Sequence, residues 1–575
     1  MTDTGEKYEV QDYDHLIIVA SWGLPKEYNL AKYELELNRV SGGKVERSKI
    51  TYDKEYYSST AAMRNLLKEK VGISEDKLSL LIFSQDTILL ERIISEREDY
   101  FPSGGNVKTR KRNELYKELF QILYDSKKEA AHELDVQKRE DYSRIVRFVP
   151  GVITGREGAY LFTWRYIRVY DLLLAGVILF MYDKLLKIHQ EHNVKSLAIL
   201  MDTTHGINYF VTALREGVLK ATALYAFNTL GEGGLESNST RTLDEVIIYH
   251  YNSDPRGPVE NGTPSLKLHL LDEVAVVRRG KPLFNGLYST IEERVSREGL
   301  NKLHNQLSGW WRDIEWEKVL ESLLFLSKGL LVWALRAALD LSQLPSIETL
   351  ESALESVDLK FSSKENNYII SYAPKEGRTP LTPIIEYSLM GSSLRKLAER
   401  CVCTNDDGFD ILEDFARKLN GELTKNELNS ALQNILSKRD EYKCFELEKV
   451  RQATNLVYTS PYLDLISNEI TNLKNYLVKG GRGRKKIEHI YMGPRRSIYL
   501  IKFNDSHLLI QEAKNGGKNG GVEKRTIYAH AGLAYGLPWF ALGRRVEGGR
   551  SNITLYLGRS DKVAQVVLYA RSSSD

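Results

Sequence analysis

Apolar residues in the first half of the chain fall into short continuous runs separated by longer stretches of mixed character. Leu16–Ser21 is such a run, the pattern of a strand buried on both faces of a parallel sheet. Leu78–Phe83, Ile145–Ile153 and Ser196–Met201 read the same way, the last most cleanly. Val246–Tyr251 and Leu266–Val277 close the series, parted by the turn-rich Asp254-Pro-Arg-Gly-Pro258. Helical patterns lie between them, over Ser59–Lys70, Val169–His189 and Ile207–Leu230, with a charged, exposed helix over Asn113–Glu140. This alternation predicts a doubly wound α/β domain over residues 1–280.

The second half changes character. Ile314–Leu341 and Glu446–Leu477 carry helical periodicity, and 345–440 reads as further helices with loops such as Pro374–Pro383. Lys479–Lys486 and Lys514–Lys524 are glycine-rich and turn-like. Strand candidates sit at Ile487–Met492, Ser497–Phe503, Ile553–Leu557 and Val563–Tyr569. The expectation for 281–575 is a mostly α-helical domain with β insertions, the extra segments being 345–440 and 479–524.

Composition changes this picture little. The 575 residues are 42% hydrophobic and 27% charged, ample for more than one core. Lys and Arg exceed Asp and Glu by 80 − 77 = 3, which excludes a histone-like chain but not a local basic patch. Lys108-Thr-Arg-Lys-Arg112 and Lys479–Lys486 are such patches, candidates for RNA or ligand phosphates. Three cysteines, Cys401, Cys403 and Cys444, predict neither a disulfide framework nor a zinc site, and no metal is expected. Met1–Val10 is polar and acidic, unlike a signal peptide. The run Leu172–Tyr182 falls short of the ~20 residues of a membrane span, so a buried helix and a cytoplasmic protein are expected.

Candidate chemistry follows the strands. Asp202-Thr-Thr-His-Gly-Ile-Asn208 comes directly after Ser196–Met201, where a doubly wound sheet binds ligands at strand ends and helix N-termini. Thr203 and Thr204 offer hydroxyls, Gly206 permits close backbone approach, and His205 and Asn208 can hydrogen-bond a base or ribose. Ser21-Trp22-Gly23 and Asp86-Thr87 occupy the equivalent place after two other strands. Helix capping alone also explains a Thr or Asp here. No Walker A sequence or three-glycine fingerprint is present, so a triphosphate or dinucleotide site is not expected. In the second half Arg525 precedes His530 by five positions. Such a pair suffices for metal-free RNA cleavage, the imidazole moving a proton and the guanidinium holding the phosphoryl oxygens. Arg482 or Arg484 before His489, and Arg297 before His304, show similar spacing, but only His530 is flanked by the small Ala529, Ala531 and Gly532.

Asp202–Asn208 resembles the ligand loop of CARF domains, and Arg525-x4-His530-Ala-Gly-Leu resembles the catalytic motif of HEPN ribonucleases. In that order, the two resemble the Csx family of accessory ribonucleases of type III CRISPR antiviral systems. The likeness is strong at 16–23, 58–62, 86–87, 145–210 and 525–533, and thin over 231–520. It implies a Rossmann-like CARF domain over 1–280 and a HEPN domain over 281–575. It further implies a homodimer or higher homo-oligomer that binds cyclic oligoadenylate, tetra-adenylate being the expected ring, as allosteric activator, with no other cofactor. Activated members cut single-stranded RNA without a metal at a composite site of two HEPN copies. Carried across, Ser21, Trp22, Asp86, Thr87, Thr203, Thr204, His205, Gly206 and Asn208 would line the ligand, and Arg525 and His530 would be catalytic. Thr526 stands where members often carry Asn, Asp or His. Two alternatives remain: a CARF half that also degrades its ligand, and a sensor whose helical half only binds RNA or partners.

Overall fold

The computed structural model describes residues 7–41, 43–102, 106–151, 154–157, 160–164, 169–205, 208–232, 243–253, 263–278, 281–282, 291, 293–294, 300–364, 367–373, 380–404, 408–419, 426–458, 462–479, 487–491, 497–503, 506–511, 539–545 and 551–564. Its first sheet contains β1 (His15–Trp22), β2 (Ala31–Ser41), β3 (Lys44–Tyr56), β4 (Leu78–Gln85), β5 (Val146–Val149), β6 (Ser196–Asp202), β7 (Glu245–Ser253) and β8 (Ser265–Arg278). With the two-residue strands Lys7–Tyr8 and Lys281–Pro282 it has ten strands. β7, β6, β1, β4 and β5 lie side by side, each parallel to the next. All eight residues of β1 are buried, as its unbroken apolar run requires in a sheet covered on both faces.

The order of these strands matters for function. From β1 the chain moves outward to β4 and then β5 on one side, then returns to lay β6 and β7 on the other. Successive crossovers therefore diverge between β1 and β6, and a crevice opens beyond their carboxyl ends. On the far side β8 runs antiparallel to β7, and the long β2–β3 hairpin extends the edge. That hairpin was not expected, although Ala31, Tyr33, Leu35 and Leu37 are buried and alternate with Lys32, Glu34 and Glu36.

Helices α1 (Ser59–Leu66), α2 (Val169–His192) and α3 (Asn208–Glu232) belong to the same half. α2 and α3 touch so closely that a Cβ on Gly217 would stand 2.5 Å from Val177 Cγ1. No described helix is long and apolar enough to cross a membrane. The expected helix over Asn113–Glu140 is instead broken into Tyr116–Ser126 and Lys128–His132. Leu115, Leu119, Leu123 and Ala131 are buried, so this stretch packs rather than standing out in solvent.

The second half contributes α4 (Ile347–Glu355), α5 (Leu381–Cys401) and further helices such as Trp316–Ser327, Leu331–Ala338 and Tyr462–Lys479. It is mainly helical with β elements, as the periodicity implies. Within 345–440 the helices are joined by a hairpin, Asp358–Lys364 with Asn367–Ala373. Its apolar Leu359, Phe361, Ile370 and Tyr372 are buried, which gives it a strand period rather than a helical one. This hairpin pairs with Lys108–Lys111 on one side and Tyr160–Trp164 on the other, so strands from both halves share a five-stranded sheet. Asp171, at the start of α2, also accepts the backbone N–H groups of Leu381 and Thr382 at 2.6 and 3.2 Å, capping α5. One continuous apolar core consequently runs through both halves.

A six-stranded antiparallel sheet closes the chain, ordered Lys443–Glu446, Ser551–Leu557, Trp539–Arg545, Ser506–Gln511, Ser497–Phe503 and Ile487–Tyr491. The strand expected over Val563–Tyr569 is corrected in its described part, where Asp561–Ala564 form a helical turn. The cysteine expectation is also corrected: Cys403 and Cys444 form a disulfide, and Cys401 is free and buried. Their separation of 41 residues gives no local spacing signal.

Candidate functional site

Three loops meet where β6, β1 and β4 end. Trp22, Gly23, Leu24 and Tyr28 follow β1; Ser84, Gln85 and Thr87 belong to the end of β4 and its loop; Thr204 and His205 follow β6. They line an open cleft of about 570 Å³ with Lys26 and Glu91, 2.8 Å apart, among its residues. Its position is the divergence point of the sheet.

Asp202 organises the β6 loop. It is 1% exposed and accepts hydrogen bonds from Ser59 Oγ (2.6 Å), Thr60 Oγ1 (2.9 Å) and the backbone N–H of Thr204 (3.1 Å). Ser59 and Thr60 open α1, whose cap is Ser58, its Oγ accepting the Ala61 N–H. Trp22 Nε1 donates to Thr60 Oγ1 at 3.1 Å, so the β1 and β6 loops are tied to the same helical turn. The Ser59 N–H also reaches His205 Nε2 at 3.3 Å. The imidazole stacks on Tyr28, with ring centres 4.1 Å apart and planes 24° apart. Burial pushes the Tyr28 phenol well above its ordinary pKa, so it stays neutral against the imidazole.

Thr203 faces the other way. It is buried, and its hydroxyl lies 2.9 Å from the Tyr251 carbonyl and 3.0 Å from His250 Nε2. A hydroxyl has one hydrogen, which the carbonyl takes, so His250 Nε2–H donates to Thr203. Burial lowers the His250 pKa, in keeping with a neutral ring in this role. Thr203 thereby fastens the loop to β7.

Thr204 and Ser84 line the cleft and differ from Thr203. Thr204 Oγ1 and Ser84 Oγ, and the nearby Ser21 Oγ, are buried with no hydrogen-bond partner among the described residues. Unpaired buried hydroxyls are costly unless a further group completes them. Two of the residues that line the cleft, Ser84 and Thr204, thus carry unsatisfied hydroxyls just under its surface, beside aromatic and imidazole faces of a kind that suits a nucleotide base.

The sequence-based candidates divide accordingly. Trp22, Thr87, Thr204 and His205 line the cleft; Ser21 is buried beneath it. Thr203 and Asp86 have their polar atoms committed to protein partners, Asp86 to Arg112 and Tyr372. Asn208 opens α3, whereas Gly206, Arg525 and His530 lie outside the described residues, as do 480–486 of one basic patch and the tract Lys514–Lys524. The other patch, Lys108–Arg112, is a strand, Lys108–Lys111, followed by a fully buried Arg112 rather than a basic loop. Tyr28, Gln85 and Ser59 were not anticipated, although Ser58-Ser-Thr60 before an apolar run is a legible helix start.

No curated protein matches this chain. Residues 17–255 match the family model described as CRISPR system endoribonuclease Csx1, CARF domain, a stretch that includes every residue lining the cleft.

Proposed function

We propose that this protein is a ribonuclease of type III CRISPR defence, switched on by cyclic oligoadenylate in the cleft at the ends of β1, β4 and β6. The observation that carries the reading is the convergence of Trp22, Thr87, Thr204 and His205 at the divergence point of a sheet that matches a CARF domain. An adenine would stack near the Tyr28–His205 pair, and ribose or phosphate oxygens would engage Ser84 and Thr204. A ring of repeating nucleotides presents equal faces to two copies of the cleft, which favours a symmetric homodimer.

Catalysis is assigned to Arg525 and His530. Their segment joins Ser506–Gln511 to Trp539–Arg545, which are adjacent antiparallel strands. In the proposed reaction the ribose 2′-oxygen attacks the neighbouring phosphorus and the 5′-oxygen leaves, forming a cyclic phosphate. One imidazole takes the 2′-hydroxyl proton, the protonated His530 imidazole of the second copy gives one to the leaving 5′-oxygen, and Arg525 holds the charge that builds on the phosphoryl oxygens. Each chain carries one such pair, so two chains supply a complete site.

Labelled single-stranded RNA incubated with the full chain and a chelator tests this, with and without cyclic tetra- or hexa-adenylate. Cleavage is expected only with a ring, and His530→Ala or Arg525→Ala should lower it by about 10²-fold or more. Absence of ring-dependent cleavage would refute the function. Undiminished cleavage by His530→Ala would refute the catalytic assignment alone.

A further inference from the structure

Asp86 stands one residue before Thr87 of the cleft, yet its carboxylate points into the protein. Arg112 Nε lies 2.8 Å from Oδ2 and Nη2 lies 3.4 Å from Oδ1, with both residues 1% exposed. Arg112 spends its other donors on two further elements: Nη1 on the Leu354 carbonyl of α4 at 3.0 Å and Nη2 on the Phe148 carbonyl of β5 at 2.9 Å. Its backbone N–H reaches the Val357 carbonyl at 3.3 Å. From the hairpin, the Tyr372 hydroxyl lies 3.3 Å from Asp86 Oδ2 and accepts the Gly151 N–H at 2.9 Å.

These contacts leave the loop little independent movement. The guanidinium is planar with its donors fixed in direction, so Asp86, α4 and β5 are held in one geometry. Separating either charge from its partner in a dry interior is strongly unfavourable. Gly151 presses on the residues either side of Asp86: a Cβ there would stand 2.6 Å from Gln85 Oε1 and 3.0 Å from Thr87 Cγ2. Gln85 and Thr87 are both cleft residues. A ligand that displaces them must displace the ion pair, and with it α4 and the hairpin of the second half.

We infer that Asp86, Arg112 and Tyr372 form the joint through which occupancy of the cleft reaches α4 and the Asp358–Ala373 hairpin. The inference rests on the cleft being a cyclic oligoadenylate site. Arg112 and Tyr372 are positioning residues, since neither lines the cleft. Tyr372→Phe removes one hydroxyl and keeps the ring, and Arg112→Lys keeps the charge while losing the fork.

The test uses the full chain, cyclic tetra- and hexa-adenylate as probes, calorimetric binding, and amide hydrogen exchange of peptides spanning 354–373. Ligand should slow exchange there in the parent. In Tyr372→Phe, binding should stay within about threefold while the ligand-dependent protection falls by about fivefold or more. Arg112→Lys should behave likewise. A purely structural role would raise exchange equally with and without ligand, and would overturn the inference. So would a parent that binds a ring with no response over 354–373, or a Tyr372→Phe chain with an undiminished response; both leave the cleft reading standing. Failure of the parent to bind either ring overturns that reading and the joint with it.

Discussion

Replacing Asp202 by Ala removes the acceptor shared by Ser59 Oγ, Thr60 Oγ1 and the Thr204 N–H. Ser59 and Thr60 are completely buried, so water does not replace the lost bonds. Hydrogen bonds to a charged group contribute about 1.5–3 kcal/mol each, and three would total about 4–9 kcal/mol. Part of that returns, because the carboxylate's own desolvation disappears and hydroxyls at a helix start can turn to nearby carbonyls. A net loss of about 3 kcal/mol is expected. With one apolar core through both halves and about 2.1 cal/mol/K per residue, the 575-residue chain has an unfolding entropy of about 1.2 kcal/mol/K, so its melting transition should fall by about 2–3 °C. Asp202→Asn keeps an acceptor for Thr204 and gives the rotatable hydroxyls a donor to meet, so it should lose about 1 kcal/mol. Calorimetric melting and urea titration of both variants give the comparison, with the urea slope unchanged if only the native contacts differ. An Asp202→Ala chain melting within about 0.5 °C of the parent would refute the role of Asp202 as the tie between loop and helix. Equal losses in the Asn and Ala variants would refute the hydrogen-bond origin.

Gly151→Ala places a methyl group 2.6 Å from Gln85 Oε1 and 2.8 Å from Gln85 Cβ, so the end of β4 must shift. The expected loss is about 1–3 kcal/mol of stability, together with weaker cyclic oligoadenylate binding by titration calorimetry. Burial, reinforced by Asp183 and Glu355 and opposed by Lys187 and Arg147, pushes the Glu351 carboxyl up to about 7. An acid with a raised folded pKa favours the fold while protonated and loses that contribution as pH climbs from its unfolded value of 4.5 through about 7. Glu351→Gln should therefore gain in melting temperature over the parent between pH 5 and pH 8, where a flat difference would contradict the assignment. The Cys403–Cys444 bond closes a loop of 41 residues, for which chain entropy gives about 4 kcal/mol, so Cys403→Ser should lower the melting temperature under non-reducing conditions. Under reducing conditions the parent should match it.

The parallel centre of the molecule was legible because a strand buried on both faces must be apolar at every position. Leu16–Ser21, Leu78–Phe83 and Ser196–Met201 could hardly be anything else, and each adopts that structure. The loops after them follow automatically, which is why Trp22, Thr87, Thr204 and His205 could be named and do converge. The hairpins over 31–56 and 358–373 carry the alternation of half-buried strands, a weaker signal diluted by their charged outer positions.

Local sequence alone thus determined which strands form the core and which loops stand at its carboxyl end, because burial on two faces and the position after a strand are local properties. Tertiary structure decided what each polar side chain in those loops does. Thr203 and Thr204 are neighbours of the same type, but the hydroxyl of one is consumed by Tyr251 and His250 while that of the other has no partner among the described residues. Asp86 meets Arg112 across 26 residues and Tyr372 across 286. A buried charge or hydroxyl is defined by its partner, and folding brings that partner from a segment whose own sequence carries no mark of the pairing.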